Sequence, residues 1–244
     1  MTLREFKADL HIHTCLSPCG ELTMLPRAIV QQARERDLDI IGISDHNSVE
    51  NVNAVRKAGK AEALLVLGGL EITSSEEVHI LGFFDDDNAL LEMRDIVYKN
   101  LSGENDEDAF GMQLVVDECD TPTELNERLL IGATSLSVEE VVDSIHGLGG
   151  IAIASHIDRE AFSIIGQLGF IPEGLSLDAL EISRNCESSE IPNYRSYGLP
   201  LVTSSDAHFL SDIGKAATTF LLNTPSFSEI IMAFQGIEGR DVRI

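Results

Sequence analysis

The 244-residue chain has few basic residues, and this shortage excludes several kinds of surface. It carries 17 Lys and Arg against 41 Asp and Glu, which gives a formal net charge of −24. A surface of this sign repels phosphate backbones and anionic lipids, so a broad basic groove is excluded. From the charge alone we expect no membrane docking, and we do not expect long nucleic acid as a partner.

The chain also lacks a long hydrophobic run. No stretch approaches the ~20 apolar residues needed to span a bilayer, and the opening MTLREFKADLHIH has no apolar core like that of a secretory signal. We therefore predict a cytoplasmic protein. Its four cysteines are expected to be free thiols, because a chain of this length forms a core without disulfides.

Several catalytic signatures are missing as well. The sequence contains no G-x-S-x-G, no G-x-x-x-x-G-K and no G-x-G-x-x-G. The first motif carries a serine nucleophile, the second binds the phosphates of a nucleoside triphosphate and the third binds a dinucleotide. Their absence argues against those three kinds of site.

Short apolar runs recur along the chain with helical stretches between them. The runs are FKADLHI, DIIGIS, LLVLGGLEI, VHILGFF, GIAIAS, ALEIS, LPLVTS and ATTFLL. Runs that are this short and rich in β-branched residues are typical of buried parallel strands in a β/α repeat. Roughly seven such units in one domain favour a barrel over an open sheet.

Helix signals lie between these runs. Apolar spacing predicts a helix over residues 28–35. Ser137 and Glu140 predict a capping box at the start of another helix, and Ser226 and Glu229 predict one at the start of the last.

One acidic stretch interrupts the pattern. From Asp85 to Glu127 there are fourteen acidic residues and two basic ones, so half of the net charge lies in 43 residues. We interpret residues 85–135 as an acidic insertion or cap of helix and loop within a single domain over residues 1–244. A solvated acidic face with no part in the chemistry is the alternative.

Six of the seven histidines fall at the ends of predicted strands, together with several carboxylates. These residues are His11, His13, Asp45, His46, Glu71, His79, His156, Asp206 and His208. Parallel β/α folds assemble their sites at strand carboxyl ends, and alternation places His11 and His13 on one side of their strand. Without metal, such a group would bury imidazoles and carboxylates with few cations to pair them. We therefore predict a metal centre, and we assign the remaining His146 to helix packing or the surface.

Six segments resemble the PHP family (polymerase and histidinol phosphatase domains), and above all its stand-alone metal-dependent phosphoesterases. In order, they are ADLHIHTCLSP, ISDHNS, GLEIT, VHILG, ASHID and SSDAH, and they span residues 8–208. The resemblance implies a distorted (β/α)7 barrel with two or three divalent ions, Zn, Mn or Fe. It also implies hydrolysis of phosphoesters by a metal-activated hydroxide.

The resemblance also implies roles for individual residues. A first ion would be held by His11, His13 and Asp206, with Glu71 bridging it to a second ion held by His79 and His156; His46 and His208 match a third. At the third site this sequence departs from the family, because Pro18 stands where a ligand is expected. That site would then be empty, weak, or completed by Cys15 or Cys19, unless these are simply small buried thiols.

Further candidates flank this set. Arg159 and Arg184 follow two of the predicted strands and could clamp phosphate oxygens, although ordinary surface arginines are as good an explanation. Asp45 could orient a ligating imidazole. Asp206, a catalytic candidate together with Glu71, could relay a proton to the leaving group instead of binding metal.

The expected substrate is a small phosphorylated metabolite or nucleotide. One alternative is an amidohydrolase-type enzyme acting on C–N bonds, which often bridges its metals with a carboxylated lysine. None of the five lysines ends a predicted strand, whereas Glu71 does. The other alternative is a non-catalytic metal-binding regulatory module. No oligomeric state follows from the sequence.

Overall fold

The computed structural model of the chain describes residues 2–244. The strands are β1 (Arg4–Ile12), β2 (Ile40–Ile43), β3 (Leu65–Thr73), β4 (His79–Phe84), β5 (Leu114–Val116), β6 (Pro122–Leu125), β7 (Ile151–Ala154), β8 (Ala179–Ile182), β9 (Leu201–Thr203), β10 (Thr218–Leu222) and β11 (Asp241–Arg243). The helices are α1 (Pro26–Glu35), α2 (Val52–Ala61), α3 (Asp87–Asn100), α4 (Glu107–Phe110), α5 (Val138–Gly147), α6 (Ile164–Leu168), α7 (Ile191–Arg195) and α8 (Phe227–Phe234).

A nearly closed sheet is the centre of the fold. Within residues 2–244, nine strands form it in the order β11-β10-β1-β2-β3-β4-β7-β8-β9. The chain just beyond β9 returns to β1, where Ile12 and Ala207 pair in parallel. The predicted α/β barrel class is therefore confirmed.

The strictly alternating (β/α)7 pattern is not confirmed. β4 runs antiparallel to both of its neighbours, β3 and β7, and β10 pairs antiparallel with β1. Residues 74–78 join β3 to β4, and so short a connection makes a hairpin, because a parallel crossover needs a dozen residues or more.

Two hydrophobic clusters lie on the two faces of this sheet. The larger one packs α1, α2, α3 and α5 against the outside of the strands. The smaller one fills the inside with residues such as Phe6, Leu67, Leu81 and Phe83, and it is extended by Phe227 of α8. Along β3, Glu71 shares the inner face with Leu67, so polar side chains lie directly above this inner core.

The predicted helix starts have different outcomes. α1 covers residues 28–35 as expected and begins at Pro26. The capping box of Ser137 and Glu140 is present at α5. At α8, Ser226 does cap the helix, but the Glu229 carboxylate pairs with Arg240 instead of completing a box.

The acidic stretch contains two kinds of structure. α3 packs in the larger core through Leu90, Met93 and Val97. Beyond it, α4 and the β5–β6 hairpin lie against the loop after β1, where the Leu114 amide donates to the Cys15 carbonyl at 3.0 Å. That residues 85–135 form an insertion within one domain stays a prediction.

All four cysteines are free thiols, as expected. None of the helices in the described part of the chain is both long and apolar enough to cross a membrane.

Candidate metal centre

Glu71 lies at the centre of a cluster of imidazoles above the inner core, and its carboxylate is 1% exposed. Oε1 is 3.3 Å from His11 Nε2, 2.9 Å from His79 Nδ1 and 3.3 Å from His156 Nε2, while Oε2 is 3.5 Å from His13 Nε2 and 3.1 Å from His46 Nδ1. One buried carboxylate is thus shared by five imidazoles.

Asp206 supplies a second carboxylate to the same cluster. Its Oδ1 lies 3.3 Å from Nε2 of both His11 and His13, and 3.6 Å from His208 Nδ1. The His208 ring stacks on that of His13 with 4.2 Å between centroids. His11 and His13 therefore lie between the two carboxylates, and the structure brings together all eight residues that the sequence predicts as ligands.

A register shift in β1 and the antiparallel direction of β4 bring two of these side chains into the cluster. The register between β1 and β2 shifts between Asp9 and Ile12, so that His11 points inward although Leu10 belongs to the inner core. His79 is at the amino end of its strand, and it reaches the cluster because β4 is antiparallel to its neighbours. This explains a histidine that begins a run when the others end theirs.

Four of the nine non-glycine residues with a positive φ in the described part of the chain lie at the cluster. Positive φ angles occur at Asn47 (50°), His156 (31°), Phe162 (58°) and Asp206 (49°). Residues with a Cβ rarely adopt this conformation, and strained residues often occur at functional sites.

Buried hydrogen bonds fix the ring orientation of His11 and His13. His11 Nδ1 lies 3.0 Å from Glu181 Oε1, so it donates its proton there and keeps Nε2 toward Glu71 and Asp206. His13 Nδ1 lies 3.0 Å from Ser17 Oγ, which itself donates to Asp45 Oδ1 at 2.7 Å and therefore accepts from His13. Asp45 thus acts on an imidazole as expected, but through a serine.

The donor set fits divalent metal ions. Three groups have ligand atoms close enough to share an ion: His11, His13 and Glu71; His46, Glu71 and His79; and His13, His46 and His208. Within residues 2–244, the buried Nδ1 atoms of His46 and His79 lie close to Glu71 oxygens but are not aligned for a hydrogen bond, and the buried Nδ1 of His156 has no hydrogen-bond partner. Such nitrogens, next to ionised carboxylates, are suitable for binding a cation.

The electrostatics of the cluster agree with this fit at Glu71 and His13. At His11, burial alone would lower the pKa, but the carboxylates of Glu181 and Glu71 raise that pKa well above its usual value. Burial alone would raise the pKa of Glu71, but the imidazoles of His79 and His11 hold that pKa well below its usual value. Burial, together with nearby His208, lowers the pKa of His13 to about 4, so its ring is neutral at pH 7. Ionised carboxylates and neutral imidazoles are the forms that bind metal.

Replacing Ser17 with alanine is expected to weaken metal binding about 10- to 100-fold, because His13 loses the acceptor that fixes its ring. Competition with a chromogenic chelator measures the affinity. Ser44→Ala is the matched control, since the buried Ser44 Oγ has no hydrogen-bond partner among the described residues. Equal affinity in the two variants would contradict a role for Ser17.

The two candidate substrate-binding arginines are placed differently. Arg159 Nη2 lies 2.6 Å from Asp206 Oδ2, so its guanidinium is at the cluster. Arg184 Nη1 instead lies 3.3 Å from Asp212, outside the histidine cluster. His146 pairs with Asp178, in keeping with the packing role expected for it.

The two cysteines near Pro18 also differ. Cys15 is buried, and its thiol contacts the Leu114 carbonyl and the Asn51 amide instead of the histidines. Cys19 is exposed. Although the residue as a whole is exposed, partial desolvation of its sulfur, followed by the nearby charge of Glu71, raises the pKa of the Cys19 thiol, so Cys19 is not a thiolate at pH 7.

Sequence reasoning missed three residues of the site: Glu181, Ser17 and Phe162. Glu181 lies two residues after Ala179 on β8. Because residues two apart in a strand point to the same face, this spacing could have placed Glu181 on the inner face. The other two depend on loop conformations that no periodicity reports.

Comparisons with family models cover the whole cluster. A model described as the PHP domain matches residues 9–162, and one described as PHP-associated matches residues 191–236. All eight predicted ligands lie in these ranges. An uncharacterized protein of Methanocaldococcus jannaschii is 27% identical over 184 residues, which cover 72% of this chain and 80% of that protein.

Solved structures share the fold. The lesion-specific endonuclease Q of Pyrococcus furiosus matches with a TM-score of 0.76 at 18% identity, over 98% of this chain. This chain spans only 58% of that enzyme. A candidate metal-dependent phosphoesterase of Bifidobacterium adolescentis matches with a TM-score of 0.57 at 21% identity, over 83% of this chain and 87% of that one.

One expectation is wrong. An endonuclease Q structure that matches with a TM-score of 0.75 holds a 27-mer duplex with an abasic lesion at its active site. This fold therefore occurs in an enzyme that binds long nucleic acid, and net charge did not justify excluding such a partner. Net charge is a sum over the whole surface, whereas a polyanion responds to the local potential at the mouth of the site, which bound dications reverse.

Proposed function

The chain belongs to the PHP family, as its sequence motifs indicate, and from this we propose that the histidine–carboxylate cluster is its hydrolytic centre for phosphoesters. The observation that carries the proposal is the shared carboxylate of Glu71, which touches five imidazoles beside a second carboxylate, Asp206. A lysine at that place would have favoured the amidohydrolase alternative.

We propose that His11, His13, Asp206 and Glu71 would hold one ion, that Glu71, His79 and His156 would hold the next, and that His46 and His208, with His13, would hold a third. The first and third sets each contain a group of ligand atoms close enough to share an ion, whereas the atoms of Glu71 and His79 lie close to His46 in such a group. Bound dications supply a water of lowered pKa and stabilise charge on the attacking and leaving oxygens.

The protein side chains supply orientation and charge. Glu181, and Asp45 through Ser17, keep the ring nitrogens of His11 and His13 directed inward. Arg159 contacts Asp206 and is 39% exposed, so its guanidinium can exchange that contact for a phosphoryl oxygen. Arg184 remains a weaker candidate, because its partner Asp212 lies outside the cluster.

We propose a small phosphorylated metabolite or nucleotide as substrate. Among residues 2–244, Arg159 is the one arginine that pairs with a cluster carboxylate, and this supports the proposal because one guanidinium matches one phosphoryl group. A second candidate is a phosphodiester in DNA, favoured by the fold match to endonuclease Q over 98% of this chain.

The expected result is turnover of p-nitrophenyl phosphate or of its bis-ester by protein loaded with Mn²⁺, Zn²⁺ or Fe²⁺, with loss of turnover after chelation. Metal content is measured on the same samples. A lack of turnover on either ester, in protein shown to be loaded, would contradict the proposal and favour a non-catalytic module. Nicking of a duplex with an abasic site, compared with hydrolysis of a mononucleotide, separates the two substrate classes.

A further inference from the structure

The loop after β7 is fastened at both ends to one residue of the cluster. The Ser155 amide donates to the His79 carbonyl at 3.1 Å, and the His79 amide donates to the Phe162 carbonyl at 2.9 Å. Between these two bonds the loop carries His156 and Arg159. The loop and His79 therefore form one unit, so Phe162 has a fixed position relative to the cluster.

Phe162 has a conformation that burial does not explain. Its φ is 58°, in the left-handed region that a bulky residue rarely adopts. The ring stacks on His79 with 4.7 Å between centroids and 21° between planes, yet the residue is 41% exposed. One face of the ring thus covers a cluster histidine, and the rest of it is open to solvent.

Neighbouring loops add exposed apolar side chains at the same end of the barrel. Phe209 directly follows His208 and is 50% exposed. Leu22 is also exposed, and it follows Glu21, whose amide donates to the His208 carbonyl at 2.9 Å. Although the protein has a net charge of −24, the exposed residues next to the cluster thus include the apolar side chains of Phe162, Phe209 and Leu22.

We propose that Phe162 forms the wall of a subsite for a planar aromatic ring carried by the phosphoester. The inference rests on the proposed function, which places the phosphoryl group at the cluster near Arg159. A ring that packs against the exposed part of Phe162 would gain the free energy of an aromatic pair in addition to that of the burial of its surface. An aryl phosphate and a nucleotide share this chemistry.

Two phosphonates test the subsite without any turnover. In calorimetric titrations of the metal-loaded protein, phenylphosphonate is expected to bind about five- to tenfold more tightly than methylphosphonate, as an aromatic contact provides. In Phe162→Leu the preference falls to about one with metal content unchanged, while Phe162→Tyr keeps it. Phe170→Leu is the matched control, because Phe170 is more exposed and lies beyond α6.

Equal affinity for both phosphonates in the wild-type protein would overturn the proposal, even if a variant failed to fold. A preference that persists in Phe162→Leu would also overturn it. Loss of metal with an equal loss of both affinities would show that Phe162 only shields His79. If the preference is found but no ester is turned over, the proposed function fails while the subsite stands.

A second pair of compounds separates the two sources of the ring. Of adenosine 5′-monophosphate and ribose 5-phosphate, only the first carries a base. If the ring is a nucleobase, Phe162→Leu is expected to reduce kcat/KM for adenosine 5′-monophosphate alone. If kcat/KM is unchanged for both compounds while the phosphonate preference is lost, the ring is one that is attached directly to the phosphate.

Discussion

Replacing Glu71 with glutamine is expected to lower kcat for a chromogenic phosphoester by about 10³-fold or more, and to reduce bound metal by at least one ion. The change keeps the size of the side chain but removes the charge that five imidazoles share. An amide oxygen is a much weaker ligand than a carboxylate that bridges two dications. Turnover and elemental analysis of the same preparation measure both effects.

Glu173→Gln is the matched control for this experiment. Glu173 is exposed and lies in the segment between α6 and β8, so the same chemical change there should leave turnover and metal content at wild-type values. Undiminished turnover in Glu71→Gln would remove Glu71 from the bridging position. Loss of turnover with full metal content would instead give Glu71 a role in the chemical step.

Removing the metal is expected to lower the melting temperature by about 10–20 °C. Two ions, each at a free concentration of 100 times its Kd, stabilise the folded state by about 5 kcal/mol, and each kcal/mol corresponds to about 2–4 °C in a chain of this size. In the metal-free protein, the buried Nδ1 atoms of His46, His79 and His156 form no well-aligned hydrogen bond among residues 2–244 that could replace an ion.

Differential scanning calorimetry before and after chelation measures this shift, and added Zn²⁺ or Mn²⁺ should restore it. His146→Gln should respond like the wild type, because His146 pairs with Asp178 away from the cluster. Glu71→Gln should respond much less. A shift below about 2 °C in protein that was fully loaded would mean that the folded state does not bind the ions preferentially.

The sequence predicted much of the site because the ends of strands can be recognised where short apolar runs stop. Histidines and carboxylates that end short apolar runs must meet at one edge of a parallel sheet, and the structure brings all eight predicted ligands together there. What periodicity did not reveal was strand direction. The five residues between β3 and β4 already excluded a parallel crossover, and this feature decides how His79 reaches the cluster.

Contacts made by loops could not be predicted in the same way. Ser17 reaches His13 and Asp45 because residues 14–20 fold back in successive turns, and Phe162 reaches His79 through a strained backbone. Neither arrangement has a repeating pattern. Net charge was misleading for a related reason, since it carries no information about position.

The pairing of Ile12 with Ala207 also has a consequence for the order of folding. It joins the end of β1, at His11 and His13, to the loop that carries Asp206, and the two paired residues are 195 positions apart in the chain. Closing a loop of that length costs about 5 kcal/mol of chain entropy. During synthesis, the first ion cannot be held by its full set of ligands until most of the polypeptide has emerged. The proposed ligand set of the first ion is therefore completed late, and it joins the beginning of the chain to its last third.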